Sequence, residues 1–262
     1  MTVTAARHHR NGADDSKISV AVCDLEGVGR DVYRVEASTS EDVARWDRAS
    51  VQEHEEQMVM GRLITVDGAG GVGKSTTVTS TVKHLRSTGL PAYATSQPSR
   101  TILGDHIRGN TDTYTGIALA CLVAGDRHHQ QRVEIVPALA DEKIVVCDRY
   151  LPSSLVLQVL DGVPAERVWQ LNVGIRVPDV AVFLRADPKV IADRLAARGA
   201  HNRFERQPDY SIARELELFD QVAEDLRTRG WPVHVIDCTE HAKNETAVAI
   251  AHLVEPAAGP SR

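Results

Sequence analysis

The run Gly68-Ala69-Gly70-Gly71-Val72-Gly73-Lys74-Ser75-Thr76 sets four glycines ahead of an amine and two hydroxyls. Its spacing, Gly-x-x-x-x-Gly-Lys-Ser/Thr, is that of a phosphate-binding loop. Glycines let backbone N–H groups close around phosphate oxygens, and a helix starting just after them adds its positive end. Lys74 is a candidate to reach the β- and γ-phosphates, and the Ser75 hydroxyl a candidate ligand for Mg²⁺. Gly68, Gly70, Gly71, Val72, Gly73, Lys74, Ser75 and Thr76 thus form a candidate site for a nucleoside triphosphate. A chance glycine-rich turn would need neither the Lys-Ser pair nor the strand and helix that flank it.

Further along, Asp148 closes the apolar run Lys143-Ile144-Val145-Val146-Cys147. An acid there suits Mg²⁺, held directly or through water, or a proton transfer; a helix cap or turn is the plain alternative. Arg149 follows at once, Arg127 follows Asp126, and Arg100 follows Pro98-Ser99. A guanidinium grips anionic oxygens with parallel donors, so arginines beside strand ends point to a second phosphate site. A third group, Arg194, Arg198, His201, Arg203 and Arg206, surrounds Gly199 between two helical stretches. It reads either as a solvated basic turn or as a lid over the triphosphate. A lid arginine on a transferring phosphoryl group is worth ~10³–10⁵ in rate, and closure excludes water.

These side chains need a frame. Arg62–Asp67 is a short β-branched run that reads as a buried strand, and Ser75–Leu85 as a helix free of proline and glycine. Further strands are expected over Pro91–Thr95, Lys143–Asp148, Asp179–Leu184 and Val233–Asp237. Helices are expected over Gly116–Ala138, weakened in its middle by Gly125, and over Ser153–Leu160, Ala165–Gly174, Pro188–Arg198, Ser211–Arg227 and His241–Leu253. The alternation predicts an α/β fold: a parallel five-stranded sheet of the P-loop NTPase type, helices on both faces and a lid. Ligands then gather at the carboxyl ends of the strands.

Ahead of this frame, residues 1–16 read as a disordered tail. Residues 17–60 read as a small extension, a hairpin over Lys17–Ala37 and a helix over Ser40–Met58 with Ser40 as its cap. The main domain is expected over 61–256, followed by a tail, 257–262. The 262 residues are 42% hydrophobic and 25% charged, as in a globular domain, and the net charge of −6 offers no general attraction to nucleic acid or anionic membrane. No apolar run approaches the ~20 residues of a membrane span. Cys23, Cys121, Cys147 and Cys238 form no CxxC pair, and three of them sit in apolar runs, so buried free thiols and a cytoplasmic location are expected.

Taken together, these motifs resemble thymidylate kinases, members of the P-loop nucleoside monophosphate kinases, over roughly residues 62–240. Thr95–Arg108 is similar to the family's proline-containing loop with its Leu-Gly-x-x-Ile-Arg, and Ala124-Gly125-Asp126-Arg127 to its Ala-Asp-Arg helix motif. Asp148-Arg149-Tyr150-Leu151-Pro152-Ser153-Ser154 is similar to its Asp-Arg-Tyr-x-x-Ser, with Gln158 where the family often has Gln. Pro178-Asp179 and Arg203-Phe204-Glu205 also fit. The resemblance implies ATP with Mg²⁺ as donor, a homodimer built on helices, and no nucleic-acid or membrane partner. It places Lys74, Asp148, Arg149 and Arg203 in catalysis, with Ser75 and Asp148 at the metal and Arg198 at ATP. The adenine is expected near Cys238–Glu240. Arg100 and Arg149 fall on the acceptor's phosphate and Arg127 near its base, with Val123, Ser154, Leu157 and Gln158 lining the acceptor site.

Departures cluster on the acceptor side. The family usually has an acid at the loop position of Gly70, a phenylalanine at that of Val123 and a tyrosine at that of Leu157, and its Arg-Glu-Pro or Arg-Phe-Pro reads here Ser96-Gln97-Pro98. Two other readings share the loop. A kinase of a nucleoside or small metabolite would accept on a hydroxyl. A partition-type ATPase switch would need a lysine where Ala69 stands, and gives the lid arginines no task.

Overall fold

The computed structural model describes residues 61–199, 211–240 and 243–254, and the backbone strands Thr2–Ala6, Ile18–Leu25 and Val28–Glu36. The chain divides into two units, residues 1–59 and 60–262. In the first, β1 (Thr2–Ala6), β2 (Ile18–Leu25) and β3 (Val28–Glu36) form an antiparallel sheet in that order. Thr2 pairs with Asp24 and Ala6 with Val20, so the start of the chain is a strand rather than a tail. Its β-branched Thr2, Val3 and Thr4 suit a pleated strand, a short signal hidden beside the polar residues that follow. Val22 faces Val32 in the β2–β3 ladder, which shifts register between Cys23 and Leu25. The helix expected over Ser40–Met58, and the expected tail over 257–262, lie outside the described residues.

In the second unit five parallel strands run in the order β5-β6-β4-β7-β8: β4 (Leu63–Gly68), β5 (Ala92–Ser96), β6 (Ile144–Asp148), β7 (Val180–Arg185) and β8 (Val233–Asp237). Central β4 is buried along its whole length, which is why it reads as an unbroken apolar run rather than an alternating one. Edge strand β8 is mostly half-buried or exposed. Val66 pairs with Asp148, Ser96 with Asp148, and Arg185 with Asp237. The register thus brings the carboxyl ends of all five strands to one edge of the sheet, where the chain's chemistry-bearing residues collect.

Helices α1 (Lys74–Ser87), α2 (Ile102–Gly109), α3 (Gly116–Gln130), α4 (Val136–Ala140), α5 (Leu151–Leu160), α6 (Ala165–Leu171), α7 (Pro188–Arg198), α8 (Ile212–Thr228) and α9 (Lys243–His252) fill the connections. α1 packs on β5, β6 and α9, while α8 packs on α5 and the β7–β8 side. Beside the expected helices, the segment from Thr101 is helical too: Thr101 caps α2 through its hydroxyl, which accepts from the Gly104 N–H. Gly104 is needed there, since a Cβ would stand 2.0 Å from the Ser99 carbonyl oxygen. And the long helix does not weaken at Gly125. It runs unbroken to Gln130, then widens into a π turn over Gln131–Ile135 before α4. Pro137 is the cause, having no N–H for the Val133 carbonyl and a ring that crowds it.

Candidate functional site

The site begins where β4 ends. Gly68 turns out of the strand with φ 142, and a Cβ on it would meet the Leu184 carbonyl oxygen at 2.4 Å, so the first loop position admits only glycine. The loop closes over Ala69–Gly73 and enters α1 at Lys74, with the Thr77 N–H already donating to Gly73 O at 3.0 Å. Lys74 is 6% exposed, and its Nζ donates to the carbonyls of Gly68 at 2.9 Å and Ala69 at 2.7 Å. Burial, then the nearby Arg149 guanidinium, pull its pKa down to about 7, against the opposing fields of Asp148, Glu215 and Asp67. An ammonium so desolvated gains most from an incoming anion.

Next to it, Ser75 Oγ donates to Asp148 Oδ2 at 2.5 Å, joining the loop to the end of β6. The other Asp148 oxygen is buried and has no hydrogen-bond partner. A hydroxyl, a carboxylate and a spare carboxylate oxygen form a hard oxygen set that fits Mg²⁺, which takes one or two protein ligands and completes its shell from phosphate and water. Among the described residues no group of three or more His, Cys, Asp and Glu is placed to cage a metal.

Arg149 has φ 71, in the left-handed region, which costs an arginine ~1–2 kcal/mol. The surroundings enforce it. Its N–H donates to Val66 O at 2.9 Å, and Asp67 then draws in the chain that follows. Asp67 Oδ1 accepts from the backbone N–H groups of Tyr150 and Ser153, both at 3.0 Å, and from Ser153 Oγ at 2.6 Å. Asp67 therefore caps α5 from the neighbouring strand; its burial raises its pKa despite those bonds. Strain held by several contacts is a mark of a functional position. The Arg149 side chain donates Nη1 to Ser153 Oγ at 3.2 Å.

A cleft of about 480 Å³ joins Gly71–Thr77 to Arg149, Arg194, Arg198, Cys238 and Thr246. Arg194 Nη1 donates to the Val72 carbonyl at 3.0 Å and so shapes the cleft's wall. Thr239 and Glu240 face a neighbouring cleft with Arg185, Asp187 and Leu216. Arg203 lies outside the described residues.

Apart from Arg149, the acceptor-side candidates form a separate group that does not line this cleft. Arg127 is 1% exposed, and all its bonds run to protein acceptors: Nε to Gln97 Oε1 at 2.7 Å, Nη1 to Asn172 Oδ1, and Nη2 to Ser154 Oγ at 2.6 Å and Tyr150 O at 3.3 Å. Its guanidinium lies 5.7 Å from the Tyr150 ring centre. Gln97 Nε2 in turn donates to Gln130 Oε1, and Gln130 Nε2 to Thr95 Oγ1 and Glu134 Oε2. Asp126 accepts from the Ser99 N–H and hydroxyl, both at 2.6 Å, fixing the loop that carries exposed Arg100. Val123 and Leu157 are half-buried. Gln158 is buried with its Oε1 unpartnered.

Four residues were not anticipated in these places: Asp67, Arg194 as a contact of the loop, Thr246 and Glu215. Glu215, in the first turn of α8, accepts from the Gly70 N–H. Its signal in the sequence is a lone acid on a helix face otherwise carried by Leu216, Leu218 and Phe219. Cys147 and Cys238 are buried free thiols, but Cys121 is exposed, because α3 turns that apolar face outward.

The family description for thymidylate kinase matches residues 66–243. A probable thymidylate kinase of Caldivirga maquilingensis is 36% identical over 176 residues, 65% of this chain and 83% of that protein. A thymidylate kinase of Methylococcus capsulatus is 34% identical over 202 residues, 73% of this chain and 95% of that protein. One of Caldicellulosiruptor saccharolyticus is 32% identical over 155 residues, 56% and 75% of the respective chains. With phosphate loop and arginine in one cleft and the strand-end acid bonded to that loop, the chain belongs to the thymidylate kinase family, the ATP-dependent phosphotransferases of nucleoside monophosphates.

Proposed function

We propose that this enzyme transfers the ATP γ-phosphoryl group to a pyrimidine-type nucleoside monophosphate other than thymidylate, or to several with little preference. The observation that supports transfer is the junction of Ser75, Asp148 and Lys74 with Arg149 in one cleft. The loop N–H groups and Lys74 hold the donor phosphates, and Lys74 follows the charge that develops on the transferred group. Ser75 and Asp148 would hold Mg²⁺, which draws charge from the phosphates when bound. Arg149 and Arg100 grip the acceptor's phosphate, whose oxygen is already an anion and requires no base. Arg198 and Arg203 belong to the lid side of the ATP site, and Arg194 and Cys238 to its wall.

Altered acceptor preference is supported by the residues that line that side. Val123 offers no aromatic face, and base stacking is worth roughly 1–3 kcal/mol. Leu157 offers no hydroxyl near the sugar. Arg127 spends its donors on Gln97, Asn172, Ser154 and Tyr150 rather than facing outward. Residues 61–256 form the kinase domain in this reading, and 1–60 an extension. Dimerisation is supported by the exposed apolar residues Ile117 and Cys121 on α3, Val133 in the π turn and Val136 on α4. Among the described residues no helix is long and apolar enough to cross a membrane, and we place the enzyme in the cytoplasm with its free thiols.

The test is ADP release with MgATP against thymidylate, uridylate, cytidylate and modified pyrimidine monophosphates. Thymidylate is expected to be used ~10²-fold less efficiently in kcat/KM than the lost contacts would have allowed, as they partly add, and so to trail another acceptor or stand level with several. A clear lead for thymidylate would refute altered preference, and ATP turnover without any acceptor would refute transfer.

A further inference from the structure

Arg127 is a permanent cation cut off from water, and the groups bonded to its guanidinium are all neutral: Gln97, Asn172, Ser154 and the Tyr150 carbonyl. Burial disfavours its charge, while Asp67 and Asp126 favour it without bonding to it. Asp126 is bonded instead to Ser99 and Thr101, and Asp67 to Tyr150 and Ser153. One of the neutral partners leads outward to a further acid. A guanidinium can only donate, so Gln97 must turn Oε1 toward Arg127, at 2.7 Å, and its amide nitrogen away. That nitrogen donates to Gln130 Oε1 at 3.0 Å, which leaves Gln130 Nε2 facing Glu134 Oε2 at 2.9 Å, Thr95 Oγ1 at 2.8 Å and Ser96 O at 3.1 Å. The Thr95 and Tyr93 hydroxyls each donate to Glu134 Oε1 at 2.7 Å. Both amides are thus set one way, from a group that can only donate to a carboxylate. Thr95, Gln97 and Gln130 are buried, where successive bonds polarise one another. The bond to Glu134 pushes the Tyr93 phenol up to about 12, so Tyr93 remains a donor at neutral pH.

We propose that Glu134, on the π turn, is a positioning residue of the acceptor side: its charge, carried through Gln130 and Gln97, orients the amide that holds Arg127. The proposal rests on the phosphoryl-transfer reading above. Gln97 makes the effect reach further than Arg127. Its backbone N–H donates to Asp148 O at 2.9 Å, and it opens the stretch that carries Arg100. A side-chain amide pinned at both ends therefore fixes that stretch between the strand-end acid and the buried cation. The π turn, which Pro137 forces, gains a use: it carries the carboxylate on which the chain of bonds ends.

Three variants test it, with MgATP and whichever of thymidylate, uridylate and cytidylate the wild type uses best. E134Q keeps the shape and a group for each hydroxyl to bond, and removes the charge. It is expected to raise KM for the monophosphate about fivefold while KM for ATP stays within about twofold. Y93F removes one donor to Glu134 and keeps the charge, so both KM values should stay within about twofold of the wild type. If Glu134 merely ties the π turn to β5, E134Q lowers the melting temperature and leaves the monophosphate KM where it was, and that result overturns the proposal. Equal shifts in both KM values, or a Y93F effect as large as that of E134Q, overturn it as well. N172A disturbs the same guanidinium from its other side, so E134Q should add less than about twofold to the monophosphate KM of N172A. A full fivefold there overturns the shared route through Arg127. A urea cycle on E134Q and N172A needs no acceptor: their effects on stability should be non-additive, and additive effects overturn the link. Should the wild type phosphorylate no monophosphate, the kinase reading falls, and the urea cycle still decides whether Glu134 and Asn172 meet at Arg127.

Discussion

The two halves of the proposed site, donor and acceptor, are made of different material. The donor half is mostly backbone: the turns at Gly68, Gly71 and Gly73, the carbonyls that hold Lys74, and the Val72 carbonyl that holds Arg194. The acceptor half is side chains on side chains, from Gln97 through Arg127 to Asn172 and Ser154, and through Gln130 to Glu134. A backbone cradle tolerates change in most of its side chains and recognises only phosphate. A side-chain network recognises shape, and one substitution in it alters what fits. The difference explains how this chain keeps the loop's Gly68, Gly73, Lys74 and Ser75 while Gly70, Val123 and Leu157 depart from the pattern the resemblance implies for the acceptor side.

The largest break in that contrast should come from the one donor-half side chain that carries charge to the transferred group. Lys74→Ala is expected to lower kcat by ~10³-fold. The fold should persist, because the lost amine was itself poorly solvated and its removal lets water enter from the cleft that Lys74 lines toward the Gly68 and Ala69 carbonyls. Circular dichroism and melting check the fold, and ADP release checks the rate. Near-normal turnover in a folded Lys74→Ala chain would remove Lys74 from the mechanism.

Arg149 stands where the halves meet, and its substitution tells which half it serves. Arg149→Ala should raise KM for the monophosphate by ~10²-fold, the scale of an anion left without its charged partner. Affinity for ATP should change by less than about threefold. The left-handed backbone at this residue is relieved by neither alanine nor arginine, so stability should be nearly unchanged. Loss of ATP affinity with acceptor KM intact would move Arg149 to the donor half.

The same contrast governs what could be read from the residues alone. The loop lies within nine consecutive residues, Gly68–Thr76, so its chemistry is local in sequence. Strand positions were legible for a similar reason: a doubly covered parallel sheet makes each strand a continuous apolar run, as in Ile144–Cys147. Arg127, by contrast, meets Gln97, Asn172 and Ser154, which are 27 to 45 positions away. No spacing rule joins them, and the sequence placed Arg127 near the acceptor base through resemblance without revealing how its donors are spent. Glu215 lies 145 positions from Gly70, and its one local signal, an acid on an apolar helix face, does not tell what it meets. The irregularity in the long helix comes not from Gly125, which is exposed and unhindered, but from Pro137, whose effect falls a turn ahead of itself.

If the acceptor half works as a network, damage at its far end should reach substrate recognition without touching ATP. Asn172→Ala removes the acceptor of one Arg127 N–H in a buried setting. That should cost ~1–3 kcal/mol of stability, since the donor is left without a partner. Acceptor KM should rise about tenfold as Arg127 shifts, with KM for ATP unchanged. Equal effects on both substrates would mean that the halves are coupled and the contrast overstated.

The smallest expected effect is a gain, and it tests the contrast from the other side. Val123→Phe places a ring on the half-buried face of α3, one turn before Arg127, where the family stacks its acceptor base. Because Val123 is not fully enclosed, a larger side chain does not overfill the core, and melting should stay near that of the wild type. Stacking is worth roughly 1–3 kcal/mol when a base is fully engaged. Here the sugar contact at Leu157 is still missing, so only the lower end applies, about fivefold in kcat/KM for thymidylate. ATP parameters should not move, because nothing on this face of α3 lines the donor cleft. The reading is the ratio of thymidylate to uridylate efficiency in variant and wild type. A ratio that rises shows that the acceptor half is set by its side chains, one contact at a time. A ratio that stays fixed, in a folded protein that still uses monophosphates, would show that the base does not lie against α3, and acceptor choice would have to be sought elsewhere in the network.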